Sequence, residues 1–343
     1  MKKLLLICFL LAILLLITIG ANAQYMWNAG TTEEGSIGYT LIGILSEVIN
    51  TYSGNDIFMT PIAYTKSLVG LKGLDQKEVV SMYASSQTFE QVINKEGPFD
   101  PKIYEWTAPI TQMMWMYDLD YGFIIRKSDA DKIKSWSDLA YRKVWPQMLG
   151  TTSYELIKAE LGPDGLDIWD KLNLKTFEIS HVADALRSGE VDAVSANSMG
   201  GNIVGWTQEV LARVDSVMLA PTPEELEKIQ KNIEFISIST TNPEDFQQDV
   251  GLTKPLLSPS LGVVYMVDPN VPEEAVYQAV KTAFENATEM ANSVSTWKKF
   301  SQDPWAYNLP YLKKYKEKGV PIHPGALRYF RELGHDTKLL GLE

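Results

Sequence analysis

Two residue patterns in this 343-residue chain have the makings of chemistry. The first is Ala196-Asn197-Ser198-Met199-Gly200, an A-x-S-x-G run that follows a strand-like segment. It is a variant of the nucleophile elbow, in which a sharp turn exposes a serine hydroxyl. His323 or His335, with an intervening carboxylate, would complete the chain order serine, acid, histidine, so a secreted serine hydrolase using Ser198 is one reading. No H-G-type oxyanion loop precedes the serine, which weighs against it. The second pattern is a set of glycine- and hydroxyl-rich loops, each after a strand-like run. They hold Gly30, Thr31, Thr32, Gly35 and Ser36, with Tyr39 beyond; Tyr64, Lys66 and Ser67; and Thr151, Thr152 and Ser153. Such loops at helix N-termini aim free backbone N–H groups at a polar ligand. Serine and threonine also cap helices as routine, so the loops carry weight jointly and not singly.

If those loops line a cleft, Asn197 and Ser198 are offered to it as amide and hydroxyl instead of nucleophile. Tyr39, Tyr64, Tyr83, Trp115 and Tyr117 are candidate aromatic walls, with Tyr64 and Tyr117 preferred. Lys66 is the leading cation for a carboxylate, ahead of Arg126. Glu33 and Glu34 disfavour a polyanion and welcome an amine. The ligand expected is therefore a small organic acid or an amino acid. No H-E-x-x-H, P-loop or EF-hand pattern is present, and the three histidines are far apart, so no metal site and no cofactor is expected. A net charge of −12 opposes nucleic acid as a partner.

The elements that must position these residues begin after an apolar leader. Lys2 and Lys3, the run Leu4 to Ile19, and Ala21-Asn22-Ala23 read as a signal peptide over 1–23, with a retained anchor as the alternative. The single cysteine, Cys8, lies inside that run, so the rest of the chain has neither disulfides nor thiolate ligands. Strand-like runs at Tyr25–Ala29, Ile57–Thr60 and Val79–Tyr83 alternate with helical periodicity, as at Ile37 to Ile49, which predicts an α/β fold. A second alternating block starts at Tyr121. It includes a helix start at Ser137-Asp138-Leu139 and strands at Phe177–Ile179, Ala193–Ala196 and Val217–Leu219. Further runs at Phe235–Ile238 and Leu261–Val267 precede a helix from Pro272. Crossings near Met116–Asp120 and Leu219–Pro223 give lobe 1 as 24–118 plus 221–343 and lobe 2 as 119–220.

The C-terminal stretch Pro321-Ile322-His323-Pro324-Gly325-Ala326-Leu327-Arg328-Tyr329-Phe330-Arg331-Glu332-Leu333-Gly334 resembles the ending of TAXI-type receptors of TRAP transporters. Ile133–Leu139, Ala183–Ala193 and Val271–Tyr277 resemble further segments of that family. The resemblance implies a type II periplasmic-binding-protein fold, two lobes with a hinged interlobe cleft. It also implies a periplasmic or extracytoplasmic location and TRAP membrane subunits as partners. The chain departs from the family pattern in the ligand loops, at Gly30–Tyr39, Tyr64–Leu68 and Gly150–Ser153.

Overall fold

The computed structural model describes residues 24–343 apart from Asn55 and Gly150; the expected signal segment 1–23 lies outside the described residues. The chain opens with β1 (Tyr25–Thr32), α1 (Ile37–Tyr52), β2 (Ile57–Tyr64), α2 (Ser67–Asp75), β3 (Ser81–Ser85) and α3 (Ser86–Asn94). The long β4 (Thr111–Arg126) leads to β5 (Lys143–Trp145), α4 (Thr152–Leu161), β6 (Asn173–Leu174), α5 (Val182–Ser188), β7 (Ala193–Met199) and β8 (Asn202–Ile203). Then come α6 (Gly205–Arg213), β9 (Ser216–Leu219), α7 (Pro223–Asn232), β10 (Ser237–Thr241) and β11 (Leu256–Val267). The C-terminal helices are α8 (Glu273–Glu285), α9 (Ala287–Ser293), α10 (Lys298–Gln302), α11 (Pro304–Glu317) and α12 (Pro324–Glu332).

All the strands among the described residues join one sheet in the order β2-β1-β3-β11-β4-β7-β5-β6, with β10 on β11, β8 on β7 and β9 on β4. β1 pairs in parallel with β2 and, at Ala29, with Ser81 of β3. That part forms because α1 buries Leu41, Ile42, Leu45, Val48 and Ile49 at helical spacing against the sheet. In the second lobe the two faces separate by strand parity. Tyr121, Phe123 and Ile125 of β4 enter one cluster with Leu156 and Ile157 of α4, while Ile124 joins Val194 and Ala196 of β7 in another.

The crossing expected at Met116–Asp120 is the middle of one unbroken strand. Thr111 to Asp120 pairs antiparallel with β11, and Asp120 to Ile125 pairs with β7. Beyond Leu219–Pro223, the expected return crossing, the chain continues to pack against residues of the second block. Ile229, Ile233 and Ile236 pack into the second lobe's cluster. The Glu225 carboxylate accepts the amides of Trp136 (3.3 Å) and Ser137 (2.7 Å). Phe246, Val250 and Leu256 complete that lobe's other cluster. Pro221 and Pro223 mark a helix start, a capping box at Thr222 with proline in the first turn, and not a change of lobe. Ile229 to Leu256 thus share clusters with β4, α4 and β7 residues. Two further expectations shrink. Ser137–Leu139 is a single 3-10 turn, and Phe177 lies outside any strand, stacked on Trp145 at 5.9 Å.

At the junction of the lobes β4 and β11 run side by side, Asp118 opposite Gly262 and Asp120 opposite Ser260. The Asp118 carboxylate accepts the hydroxyls of Tyr307 (2.9 Å) and Tyr311 (2.8 Å) from α11. Lys299 lies 3.4 Å from Asp118 and 3.7 Å from Asp120 and bonds Ser239. Burial raises the Asp118 carboxyl, with Lys299 opposing. Just before this point β4 carries a bulge. Tyr117 faces Val263 and Trp115 faces Val264, so Met116 has no partner. Asn308 fills the gap in the ladder, accepting the Trp115 amide (2.6 Å) and donating to its carbonyl (3.1 Å).

The Pro-Gly motif opens α12 as expected. His323 is its N-cap, Nδ1 accepting from the Gly325 amide at 3.1 Å and Nε2 meeting the Val271 carbonyl at 3.1 Å. A Cβ on Gly325 would sit 2.3 Å from the Glu273 carbonyl oxygen, so only glycine lets α12 approach α8 this closely. Tyr329 and Phe330 then bury into the first lobe's core.

A two-chambered cleft between the lobes

Strand ends and helix starts from both lobes surround a cavity of about 320 Å3. The first lobe supplies Thr32, Ser36 and Gly38 from the β1–α1 turn, Ser67 and Leu71 from α2, Tyr83 and Ser85 from β3, Thr88, and Tyr117 from β4. The second supplies Tyr121, Ser153, Asn197, Met199 and Val204. A larger outer chamber of about 620 Å3 shares Ser67 and Thr88 with it and carries Lys66, Gln87, Gln91, Thr151 and Glu155. Both volumes lie in the roughly 300–1,000 Å3 typical of small-molecule sites.

Four helix N-termini meet here. Ser36 caps α1 through the Tyr39 amide (3.1 Å), Ser85 caps α3 through Thr88 (3.3 Å), and Thr151 caps α4 through Tyr154 (3.2 Å). The fourth helix, α2, has Lys66 at its N-cap and no side-chain cap, and its first residues Ser67 and Leu68 line the cleft. The dipoles of these helices favour negative charge at the shared rim. The inner chamber is otherwise uncharged: among the described residues none of its walls is Asp, Glu, Lys, Arg or His. Its polar atoms form short chains. Thr32 Oγ1 lies 2.7 Å from both Ser36 Oγ and the Tyr83 hydroxyl, and Asn197 Nδ2 donates to Ser153 Oγ at 3.1 Å. Burial, first of all, raises the phenols of Tyr83, Tyr117 and Tyr121, so all three stay neutral. Tyr83 is held by contact with Gly38, where a Cβ would meet its hydroxyl at 1.8 Å.

The expected site residues divide cleanly. Thr32, Ser36, Ser67, Tyr117, Ser153 and Asn197 line the inner chamber; Lys66 and Thr151 stand on the outer one. Thr152 opens α4, and its side chain is outside the described part. Gly30 lies within the sheet, its Cβ position 2.9 Å from Met82, and Thr31 is buried in β1 on the parity opposite to Thr32. Tyr39 is on α1 away from the cavity walls. Tyr64 packs over Gly73 and donates to Glu78 at 3.0 Å; burial and that carboxylate push its phenol up to about 12. Ser198 is buried on the other face of β7 from Asn197, paired across to Asp120.

The elbow reading fails on the same ground. Ser198 sits within a strand, and the glycines that follow turn a β7–β8 hairpin, not the start of a helix. His323 is engaged as a helix cap, and His335 stacks on Trp305 at 3.8 Å. Arg126 is held by the Leu186 and Val191 carbonyls and by Asp129 and Asp192. Tyr121, Ser85 and Thr88 were missed. Tyr121 follows Tyr117 and Leu119 at strand parity, and Ser85 and Thr88 have the spacing of a helix cap behind a strand.

Among the described residues no cluster of three or more His, Cys, Asp or Glu is placed to hold a metal, and no helix is long and apolar enough to cross a membrane. Two α/β lobes joined by paired strands, with a cleft between strand ends, define a type II periplasmic-binding-protein fold. Within that class the chain belongs to the NMT1-like family, which matches residues 29–334. Solved structures with a similar chain course include the periplasmic aliphatic sulphonate binding protein SsuA of Escherichia coli. It is 11% identical, over 90% of this chain and 84% of that one, with a TM-score of 0.42. A Xanthomonas citri protein bound to ATP is 12% identical over 92% and 98%, TM-score 0.47. A TRAP periplasmic solute binding protein of Roseobacter denitrificans with bound β-D-glucuronate is 12% identical over 92% and 97%, TM-score 0.39. No residue's role passes across likeness at this level.

Proposed function

We propose that this protein is a TAXI-type solute-binding receptor that captures a small organic acid or amino acid outside the cytoplasm and delivers it to TRAP transporter membrane subunits. Export by a signal peptide at 1–23 belongs to the same reading. The observation that carries it is the interlobe cavity, walled from both lobes and edged by the uncapped N-terminus of α2 beside Lys66. A carboxylate at that rim gains backbone donors and the helix dipole, while the rest of the ligand enters a chamber of hydroxyls and hydrocarbon. A ligand touching both walls binds the closed arrangement better than an open one, which is the differential affinity closure requires. Lobes 24–118 plus 261–343 and 119–260 are the bodies that move in this proposal.

Calorimetry against a panel of organic acids and amino acids, with small-angle scattering on the same samples, tests the reading. Binding accompanied by a smaller radius of gyration is expected. Binding of neutral sugars with indifference to every organic acid would sink the ligand class, and confirmed binding at constant radius would sink closure.

A further inference from the structure

We infer that the contacts behind the hinge ribbon form a clasp that holds the cleft open until a ligand is bound, with Lys298 and Thr296 as its releasable arms and Lys299 as its fixed pin. The inference rests on the lobe closure proposed above and adds what opposes it. From Tyr117 to Asp120 the register of β4 with β11 is unbroken, so successive side chains alternate between the two faces of the ribbon. Tyr117, Leu119 and Tyr121 line the inner chamber. Asp118 and Asp120 therefore face the opposite side, where Lys299 of α10 lies between the two carboxylates and bonds Ser239 of β10.

Lys299 has company there. Its segment is rooted by Trp297 and Phe300 in the same core cluster as Trp27 and Trp115. From that segment Lys298 pairs with Asp245, and Thr296 Oγ1 accepts from Asn202 Nδ2 at 3.0 Å. Both partners go with β7. Asn202 pairs with Met199, and Gly201 lies so close to Asp245 that a Cβ would come within 2.2 Å of its carbonyl oxygen. Phe246, next in the chain, packs with Val194 and Ala196. These contacts thus bridge the two moving bodies, around a polar void of about 50 Å3 between Thr240, Lys298 and Gln302. In front of the ribbon the pattern is reversed. Thr32, Ser36 and Tyr83 bond to one another, as do Ser153 and Asn197, and among the described residues no hydrogen bond links the one set to the other.

The two sides of a hinge cannot shorten together. Rotation about the ribbon that brings the cleft walls toward each other draws the groups behind it apart. The Lys298–Asp245 and Asn202–Thr296 links then lengthen and break. Lys299, next to the axis, stays between Asp118 and Asp120 and keeps their buried charge compensated throughout. Bonds lost at the back weigh against the closed form, and ligand contacts to both walls offset them. An empty receptor is thereby kept open.

The test measures the opening of the cleft without a ligand. Cys8, the only cysteine, is changed to serine, and Val69→Cys on α2 and Lys158→Cys on α4, both exposed, carry nitroxide labels for pulsed electron spin resonance distances. Lys298→Met and Thr296→Val cut one arm each. Either should raise the ratio of closed to open forms about two- to fivefold, and the two together about tenfold, seen as growth of a shorter label distance. Lys281→Met, which cuts an ion pair to Glu332 far from the ribbon, should leave the distances as they are. Should Thr296→Val not fold, Asn202→Ala removes the same bond from the other side. Unchanged distances in the double variant, or growth of a longer one, overturn the clasp. The native protein is also measured with glutamate, leucine, lactate and succinate in turn. A shorter distance with any of them, beside unmoved variants, overturns the clasp and leaves closure standing. No shortening with a compound that calorimetry shows to bind removes closure and the clasp together.

Discussion

Replacing Glu160 by methionine should stabilise the protein, and by an amount that grows with pH. Glu160 is on the buried face of α4, fully inaccessible, and neither carboxylate oxygen has a hydrogen-bond partner. Burial alone raises its carboxyl well above the ordinary value of 4.5. Methionine has similar length and no group to satisfy, so removing an unpaired buried polar group should add about 1–3 kcal/mol. The folded protein holds this proton more tightly than the unfolded chain does. Its contribution is therefore complete below about pH 4.5 and is lost as pH rises toward the folded-state value. Within that window each pH unit costs up to about 1.4 kcal/mol. At roughly 2–4 °C per kcal/mol, that is a fall of some 3–6 °C per unit. Buried His323, lowered by desolvation, acts in the opposite sense, its contribution lost as pH falls through and below its ordinary 6.5. It is unchanged in the variant, so the difference between the two Tm curves isolates Glu160. Thermal unfolding of both proteins from pH 5 to 8 is the assay. Parallel curves, or a variant less stable at every pH, would refute the reasoning.

Asn308→Leu should cost about 2–4 kcal/mol in chemical denaturation, since it leaves both the amide and the carbonyl of Trp115 unpaired in the core; a loss below 0.5 kcal/mol, itself about the size of ordinary surface substitutions, would show the bulge is satisfied otherwise. Gly38→Ala should drive the Tyr83 ring into the inner chamber, at about 1–3 kcal/mol of overpacking and with weakened ligand binding; calorimetry and thermal melts read both, and unaltered affinity would show that the ring is free to move elsewhere. Lys66→Met should weaken a bound carboxylate only about two- to fivefold, and less in high salt, because Lys66 is exposed on the outer chamber; a hundredfold loss would place the carboxylate directly on its ammonium.

Much of this molecule is legible in its sequence because local rules suffice. The Gly/Ser/Thr turn before α1, the apolar stripe of that helix and the proline-glycine start of α12 announce themselves, and each stands as expected. The site is only half legible, and parity explains why. Thr31 and Thr32, or Asn197 and Ser198, are equivalent by composition, but adjacent residues in a strand face opposite sides. Only the true extent of β1 and β7 selects Thr32 and Asn197. Tyr121 was hidden by a similar fault, a strand divided in two where the reading placed a crossing. Pro221 and Pro223 flank a helix start, and proline punctuates helices as readily as domains. Finally, Asn308 reaches Trp115 across almost two hundred residues, and nothing local to either foretells it.

The paired run of β4 and β11 through the junction has a mechanical consequence. Two loose linkers would let the lobes swing independently at each strand. Here Asp118 is bound to Gly262 and Asp120 to Ser260, so the two connections form a single ribbon. Relative rotation of the lobes is then carried as twist spread along a ladder, like a torsion bar, with no bond leaving its ordinary conformational basin. A torsion bar has one soft axis and resists bending and sliding. The opposing walls of the cleft would approach along one path, and the register between Ser67 on one side and Asn197 on the other would be set by the ribbon before any ligand arrives.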